Sequence, residues 1–319
     1  MYLSRYKLKK SPFLLTPDPD FLHFGESHRQ AFRALLEGIL SRKGFMVLTG
    51  QVGTGKTTLI NALLGSLHRV EIDAPGRIPK VLTGLLVNPL LTRSELLEAV
   101  LDEFDIDCPH STKPRRLLAL QEKLLELQKV GGTAVLIIDE AHLLTVELLE
   151  EIRVLANIDM FRGKLFQVIF CGQPEFASVL LRPELKALRQ RIAVLTELRP
   201  LNMAESNAYI EKRLRQAGLC GPSPFSTHSL EEIYRCTKGI PRLINLLCDK
   251  ALLLACEQQI MQIGPEVVQN AVKKLSIQSI PAPGLESVRR VVDPSPTYRS
   301  QTEPGVPLVA QKIAAGRAE

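Results

Sequence analysis

The chain has 319 residues, 45% of them apolar, which is enough for one large or two modest hydrophobic cores. Its net charge of +6 permits an acidic partner, nucleic acid or an anionic membrane surface without requiring one. No stretch approaches the ~18 consecutive apolar residues of a membrane span, and no apolar signal core is present near the N-terminus. The composition therefore predicts a globular, cytoplasmic protein without a transmembrane segment. The six cysteines form no C-x-x-C pair, which is typical of reduced thiols and not of zinc sites.

Residues 1–25 predict an ordered but irregular arm. Three prolines interrupt any continuous helix, while several phenylalanines and leucines make the segment too apolar for a solvated tail. We expect the arm to pack on the protein, where it either walls an adenine ring or covers the edge of a sheet. A helical pattern then begins at Ser27 and runs towards Gly44.

A complete G-x-x-x-x-G-K-[ST] motif follows the first predicted strand. The apolar run 45–48 indicates the strand, and a helical pattern over 59–67 follows the motif. The glycines let phosphate oxygens approach backbone N–H groups, and the helix N-terminus faces the same anion. Lys56 would then contact the β- and γ-phosphates, and the hydroxyl of Thr57 would bind Mg²⁺. The predicted nucleotide-binding residues of this Walker A loop are Gly50, Gln51, Val52, Gly53, Thr54, Gly55, Lys56, Thr57 and Thr58.

A strand that ends in two acidic residues lies further along the chain. The run 133–138 is apolar and β-branched, as is typical of a central parallel strand buried on both faces. Asp139 and Glu140 follow it, at the edge where open α/β sheets bind ligands. We assign Asp139, as the Walker B carboxylate, to the Mg²⁺ shell, and Glu140 to orienting or deprotonating the attacking water. His142 completes the letters D-E-A-H of a helicase motif, but residues 200–319 contain no second motor core, so we interpret it as a helix-start residue near the site.

Two further candidate groups border the later strands. Gln173 follows the predicted strand 164–171 and would lie between the two phosphate motifs as a sensor of the γ-phosphate or water. Arg189 and Arg191 precede the predicted strand 192–198. They could reach the nucleotide of a neighbouring subunit as an arginine finger, or form only a solvated charge pair. The other predicted elements up to residue 190 are the strand 81–87 and the helices 92–104, 115–130, 146–156 and 183–190.

An all-helical region follows residue 202. In the sequence Gly239-Ile240-Pro241-Arg242, the proline occupies the first helical position, and the helix N-terminus and Arg242 would favour the same anion. From residue 279 the composition becomes rich in proline and serine, which predicts a disordered tail. The predicted parts are an N-terminal arm and helix (1–43), an α/β nucleotide-binding domain (44–201), a helical lid (202–278) and the tail (279–319).

The order of these motifs resembles the AAA+ ATPases, which are α/β P-loop NTPases with a five-stranded parallel sheet and a small all-helical lid domain. Longer stretches are similar to the general secretion pathway protein A (ExeA-type) family and to the ATPases of exosortase and exopolysaccharide-export loci. They include GFMVLTGQVGTGKTTL, LLVNPLLTRSELLEAV, LIIDEAH, CGQPE, LRQRI and GIPRLINLLCDKAL, together with the opening arm. The resemblance covers about residues 1–275.

The resemblance implies Mg²⁺-dependent ATP hydrolysis by subunits of a homo-oligomeric ring, for which a hexamer is one candidate. It places Gln173 as sensor 1, Arg191 rather than Arg189 as the finger, and Arg242 as sensor 2. It also places Phe13 and residues 16–21 in the adenine pocket. ExeA-type envelope proteins carry a membrane span and a periplasmic domain after the ATPase, whereas this sequence continues into the proline-rich tail. We therefore expect a separate membrane-associated partner, with the chain in the cytoplasm or held at the inner membrane through that partner.

Two functions of different class fit these features. In the first, the ATPase energises or regulates the assembly of an envelope secretion or polysaccharide-export machine. In the second, it binds DNA and regulates transposition, like the TniB-type ATPases, and its basic charge follows DNA phosphates. We favour the first because the N-terminal arm matches that branch.

Overall fold

The structure is a computed structural model that describes residues 2–15, 24–73, 80–87, 89–108, 112–157 and 164–275. All of these residues belong to one compact unit, Met1–Ser279. The stretch 16–21, predicted to border the adenine, and the predicted tail lie outside the described residues. Within the described part, no helix is both long and apolar enough to cross a membrane.

Five parallel strands form one sheet in the order β2-β3-β4-β1-β5, which confirms the predicted fold class. Every residue of β1, β3 and β4 is buried, because these strands lie between two others and are covered on both faces. The edge strand β5 instead alternates between half-buried and exposed residues up to its last residue, Leu198, which is buried. The strands are β1 (Phe45–Gly50), β2 (Val81–Leu86), β3 (Thr133–Ile138), β4 (Phe166–Gly172) and β5 (Ile192–Leu198).

Helices cover both faces of the sheet. Alternate strand residues point to opposite faces, so Val47 packs in one hydrophobic cluster while its neighbours Met46 and Leu48 pack in the other. The two layers of helices follow from this alternation. One face carries α2 (Glu26–Leu40) and α3 (Lys56–Asp73), and the other carries α4 (Arg93–Glu103), α5 (Lys113–Lys129) and α6 (Val146–Leu155).

Several element boundaries differ from the sequence patterns by one or two residues. Thr92 is the N-cap of α4, because its hydroxyl and the side chain of Glu95 form a reciprocal capping box. The predicted helix 183–190 is divided into a 3-10 turn and a short helix, and a second short helix after β4 was not predicted. The short elements are α1 (Tyr2–Arg5), the 3-10 turns Ala141–Leu143 and Pro183–Leu185, α7 (Glu175–Val179) and α8 (Lys186–Arg189).

The four remaining helices pack around a separate hydrophobic cluster and form the lid. They are α9 (Met203–Gln216), α10 (Thr227–Thr237), α11 (Pro241–Glu257) and α12 (Pro265–Leu275). The N-terminal arm is part of this cluster, to which it contributes Tyr2, Tyr6, Leu8 and Phe13. The arm that precedes the α/β domain in sequence therefore belongs to the packing of the lid.

A buried polar network fastens the arm to the lid. The guanidinium of Arg213 on α9 donates to the backbone oxygens of Pro12 and Leu14 and to the hydroxyl of Tyr209, which in turn donates to Asn245 at 2.8 Å. Arg213 is only 6% exposed. Because the bond to the Pro12 carbonyl is buried and Arg213 is its donor, Arg213 holds the arm at a fixed position on α9.

Candidate nucleotide site

The glycine loop connects β1 to α3 at the carboxyl edge of the sheet. Gly53 and Gly55 have φ angles of +82° and +99°, which side chains with a Cβ rarely adopt. A Cβ on Gly53 would also lie 2.8 Å from the Cβ of Arg242 in the lid. The hydroxyl of Thr54 donates to the carbonyl of Gln51 at 2.8 Å and closes the turn. The glycines therefore shape the loop and admit the lid beside it.

Lys56 lies inside the loop. Its ammonium group donates to the backbone oxygens of Gly50 at 2.8 Å and Gln51 at 3.3 Å, and the residue is only 7% exposed. The charge is therefore held at the concave side of the loop by the dipoles of the loop itself. Of the remaining loop residues, Val52 is 57% exposed, and Thr57 and Thr58 lie in the first turn of α3, directly after Lys56.

His28 on α2 supports the loop from behind, a role that the sequence did not indicate. Its Nε2 lies 2.8 Å from the carbonyl oxygen of Thr54, which can only accept, so the ring carries its proton on Nε2. Burial lowers the pKa of His28, which favours this neutral form. The ring of Phe24 stacks on the imidazole with centroids 5.9 Å apart. A lone histidine on an amphipathic helix gives no sequence signal for such a contact.

Thr57 and Asp139 meet across the end of β4. The hydroxyl of Thr57 donates to Oδ2 of Asp139 at 2.9 Å, and Oδ1 of the same carboxylate accepts from the N–H of Glu140 at 2.9 Å. Asp139 is 5% exposed. These oxygens fit Mg²⁺, which binds through one or two protein oxygens together with phosphate oxygens and water. The described residues contain no cluster of three or more acidic, histidine or cysteine side chains that could form an all-protein metal cage, and a nucleotide-linked Mg²⁺ needs none.

Glu140 has left-handed backbone angles, φ 52° and ψ 36°, which are uncommon for a residue with a side chain. This conformation turns the chain directly from β3 into the 3-10 turn Ala141–Leu143. The imidazole of His142 in that turn lies between Glu140 and Gln173. Its Nδ1 is 3.3 Å from Oε2 of Glu140, and its Nε2 is 3.0 Å from the amide nitrogen of Gln173.

Gln173 follows β4, the strand that separates β3 from β1. It is therefore located at the same edge of the sheet as the Walker A loop and Asp139. Cys171, two residues earlier, is buried at this edge, and burial, assisted by the nearby Asp139 carboxylate, raises the pKa of its thiol. The thiol is thus neutral, and we assign it to packing.

The lid reaches the glycine loop through its G-x-P-R segment. The backbone N–H of Arg242, at the start of α11, donates to the carbonyl oxygen of Gly53 at 3.2 Å, and the Arg242 side chain is exposed. A second contact joins the N-terminus of α2 to the lid, where the N–H of Glu26 donates to the carboxylate of Glu205 at 2.6 Å. Arg242 is therefore adjacent to the loop that would hold the phosphates.

Arg189 and Arg191 lie at the amino end of the parallel strands, opposite the carboxyl end that carries the glycine loop. Arg191 precedes Ile192, which pairs with Phe45 at the start of β1, whereas the glycine loop follows the end of β1. Six strand residues separate the two edges, or about 20 Å at the usual rise per residue. Arg191 donates to the side-chain oxygen of Asn157, and Arg189 donates to the carbonyl of Leu180 at 3.1 Å. The chain's own fold keeps both arginines away from its own glycine loop.

Phe13 of the arm lies in the lid core. It is 2% exposed and packs edge-on against Phe225, with ring centroids 6.3 Å apart. Its ring is therefore enclosed by lid side chains, and little of it remains to contact an adenine.

Comparison with known proteins agrees with this geometry. A family model described as an AAA domain matches residues 39–180. The general secretion pathway protein A of Aeromonas hydrophila is 37% identical over 257 residues, which are 80% of this chain and 45% of that protein. The chain belongs to the AAA+ ATPases of the general secretion pathway protein A type. This AAA+ chain spans less than half the length of that relative.

Solved structures share the fold at low sequence identity. The ORC2 protein of Aeropyrum pernix, in ADPNP–ADP complexes, has a TM-score of 0.60 and 19% identity, covering 85% of this chain and 73% of that one. The RuvB Holliday junction branch migration motor of Thermotoga maritima has a TM-score of 0.54 and 18% identity, covering 84% and 74%. Both similarities extend through the α/β domain into the lid, and at these identities they concern the AAA+ fold alone.

Proposed function

We propose that this AAA+ chain binds ATP with Mg²⁺ and hydrolyses it as one subunit of a homo-oligomeric ring. The observation that carries the proposal is the convergence of Lys56, Thr57, Asp139 and Glu140 at one edge of the sheet, with the Thr57 hydroxyl 2.9 Å from the Asp139 carboxylate. These groups have the charge and the hard oxygen atoms that a Mg²⁺–nucleotide needs.

Each residue has a distinct part in this reaction. Mg²⁺, held by Thr57 and Asp139, would neutralise charge on the phosphates. Glu140 orients the attacking water and takes its proton while the new P–O bond forms and the bond from the γ-phosphorus to the β–γ bridging oxygen breaks. ADP and inorganic phosphate are the products. Lys56 holds the β- and γ-phosphates.

The remaining predicted residues report on the nucleotide or complete the site. Gln173 at the end of β4 contacts the γ-phosphate or the water, and Arg242 brings a lid charge to the phosphates. Arg191 acts on the nucleotide of an adjacent subunit, because the length of the sheet keeps it from its own glycine loop. The site of each subunit is therefore completed by its neighbour.

We further propose that turnover drives or regulates the assembly of an envelope secretion or polysaccharide-export machine. The 37% identity to a general secretion pathway protein A over 80% of this chain supports that assignment. The motor would be located in the cytoplasm or held at the inner membrane by a partner protein of that machine.

The first test compares Glu140→Gln with a matched surface change, Glu122→Gln, on the exposed face of α5. Glu140→Gln should retain ATP binding and lower kcat by about 10²-fold or more, because the water loses its proton acceptor. Steady-state phosphate release and nucleotide titration measure the two effects. Normal turnover in Glu140→Gln would remove Glu140 from this role, and equal losses in both variants would do the same.

A second measurement separates the envelope proposal from a DNA-dependent function. ATPase rates are measured with and without duplex DNA at several salt concentrations. The envelope proposal expects little change, whereas strong stimulation that falls steeply with salt would replace it with a DNA-associated role. In the source cell, the Glu140→Gln chain should block protein or polysaccharide export, and unaffected export would contradict the envelope assignment.

A further inference from the structure

The imidazole of His142 connects two residues with predicted roles in hydrolysis. Its Nδ1 faces Oε2 of Glu140 at 3.3 Å, within ion-pair distance but without ideal hydrogen-bond alignment, and its Nε2 is hydrogen-bonded to the amide of Gln173 at 3.0 Å. The side chain of His142 is 18% exposed, whereas that of Glu140 is 44% exposed. Oε2 of Glu140 is nevertheless buried, because it faces the imidazole. One carboxylate oxygen is thus held inward and the rest of the side chain is open.

The contacts define a direction for the hydrogens. The amide nitrogen of Gln173 is a donor, so Nε2 of His142 accepts and the neutral ring carries its proton on Nδ1. That proton faces the carboxylate of Glu140. The ring is therefore in the tautomer that attracts a negative Glu140 side chain, and the choice of tautomer is set by Gln173.

The backbone around His142 is built to bring these groups together. Gly172, at the end of β4, is close to the turn, since a Cβ there would lie 3.4 Å from the backbone nitrogen of His142. The left-handed conformation of Glu140 bends the chain sharply at the opposite side. A non-glycine residue in this conformation is strained, and the surrounding structure must offset that strain. The turn that carries His142 therefore lies close to the end of β4, where Gln173 follows.

We propose that His142 is a positioning residue that orients the carboxylate of Glu140. The orientation depends on whether the Gln173 amide is hydrogen-bonded to the imidazole or turned away from it. This inference rests on the hydrolytic function proposed above and assigns a role to the last letter of the D-E-A-H sequence. When Gln173 turns towards a γ-phosphate or its water, the imidazole loses or changes its partner at Nε2. The attraction between the Nδ1–H group of His142 and Oε2 of Glu140 then changes. The presence of the γ-phosphate is thereby coupled to the orientation of Glu140.

A residue that only fills space in the turn would behave differently. Its removal would lower stability or nucleotide affinity, and no polar replacement would restore catalysis selectively. A positioning residue instead changes kcat at unchanged nucleotide affinity, and its effect depends on which of its two contacts is kept. The two ring nitrogens allow this separation, because the terminal group of asparagine reaches approximately the position of Nδ1 and that of glutamine the position of Nε2.

The experiment uses the full chain with His142→Ala, His142→Asn and His142→Gln. The matched control is Leu143→Ala, a 42% exposed neighbour in the same turn. We expect kcat to fall about 10-fold or more in His142→Ala, since small misplacements of reacting groups have effects of this size or larger. The affinity for a non-hydrolysable ATP analogue should change less than about 2-fold. His142→Asn should recover more of kcat than His142→Gln, and Leu143→Ala should match the unchanged chain.

A double-mutant cycle with Gln173→Ala tests the coupling. If His142 acts through both partners, the double variant His142→Ala/Gln173→Ala should lose little more kcat than the more impaired single variant. Multiplicative losses would show independent residues and would overturn the proposal. If His142→Ala does not fold, by thermal melting, the asparagine and glutamine variants carry the same comparison, and equal kcat values in those two would also overturn it.

The two proposals fail in different ways. An unchanged chain that binds ATP but releases no phosphate, in any tested oligomeric state, contradicts the hydrolytic function itself. If the unchanged chain has a measurable kcat and His142→Ala has the same kcat, only the positioning role of His142 is contradicted.

Discussion

The α/β domain and the lid use buried polar groups for different purposes. In the α/β domain, most of the described buried polar side chains lie around the glycine loop or Asp139, and Thr133 and Gln167 are the exceptions. In the lid, the buried Arg213 fastens the N-terminal arm, and the buried Asn245 accepts from Tyr209 in the same hydrogen-bond network. Burying such groups is costly unless they are hydrogen-bonded. The buried polar groups belong to the candidate nucleotide site in one region and to the attachment of the arm in the other.

Hydrogen bonds connect the lid to the α/β domain. The lid contacts the glycine loop through backbone groups, Arg242 to Gly53, and the N-terminus of α2 through Glu205. Variants of the polar groups around the glycine loop should therefore alter turnover with little loss of stability. Variants of the Arg213 network in the lid should lower stability with little direct effect on turnover.

The largest expected effect tests whether a site is completed by a neighbour. Arg191→Ala should lower kcat by about 10³-fold or more, which is the usual contribution of an arginine finger. Mixing Arg191→Ala chains with Lys56→Ala chains should restore part of the activity, because some interfaces then combine an intact loop with an intact arginine. Phosphate release is measured across mixing ratios.

The control for this mixture is Arg189→Ala, the neighbouring arginine that donates to Leu180. Its kcat should stay within a few-fold of the unchanged chain. A mixture that follows the simple average of its two inactive parents would contradict the shared site. If Arg189→Ala is as inactive as Arg191→Ala, the finger role cannot be assigned to Arg191 alone, and both arginines would be needed for it.

The next effect concerns stability in the lid. Arg213→Ala should lower the free energy of unfolding by about 3 kcal/mol, because the buried Pro12 carbonyl and the buried Tyr209 hydroxyl lose their donor. The matched control is Arg215→Ala on the same helix, whose 2.7 Å ion pair with Glu211 is about half exposed and worth less than about 1 kcal/mol. Urea titration measures both variants. Equal losses of unfolding free energy would show that the buried Arg213 contributes no more to stability than the exposed Arg215.

The smallest effect concerns the first residue of the arm that the structure describes. The hydroxyl of Tyr2 donates to Asp249 of α11 at 2.6 Å, and burial, with this bond, raises the pKa of Tyr2 to about 12 from its ordinary 10.0. Tyr2→Phe should cost about 1 kcal/mol of unfolding free energy below pH 10.

The pH dependence of Tyr2→Phe has a definite sign. A raised phenol pKa stabilises the folded chain fully below pH 10, and the contribution is lost as pH rises towards 12. The stability difference between the unchanged chain and Tyr2→Phe should therefore shrink across that window. A difference that stays constant or grows there would mean that the Tyr2–Asp249 bond is not what links stability to pH.

Local patterns in the sequence predicted the strands well, and they located the glycine loop and the acidic end of β3. The apolar run of β3 and its acidic ending depend on neighbours in sequence, so Asp139 and Glu140 could be assigned before their contact with Thr57 was known. The predicted start of α4 was displaced by one residue, because Thr92 is the N-cap and forms a capping box outside the first helical turn.

Contacts between distant parts of the chain were not predictable in this way. The arm was expected to pack somewhere, but its partners on α9 and α11 lie about 200 or more residues away in sequence. His28 and His142 likewise gain their roles only when α2 and the end of β4 come close to the phosphate motifs. No periodicity or spacing in one sequence encodes such meetings, because they depend on tertiary packing.

The position of the Lys56 side chain has a consequence for the speed of nucleotide capture. A free lysine loses up to about 2 kcal/mol of rotamer entropy when it is immobilised. Lys56 has already lost that freedom, since its ammonium group is held by the carbonyls of Gly50 and Gln51. An arriving phosphate exchanges one set of oxygen partners for another and does not have to order a mobile chain. Association should then be limited by encounter rather than by rearrangement of the loop.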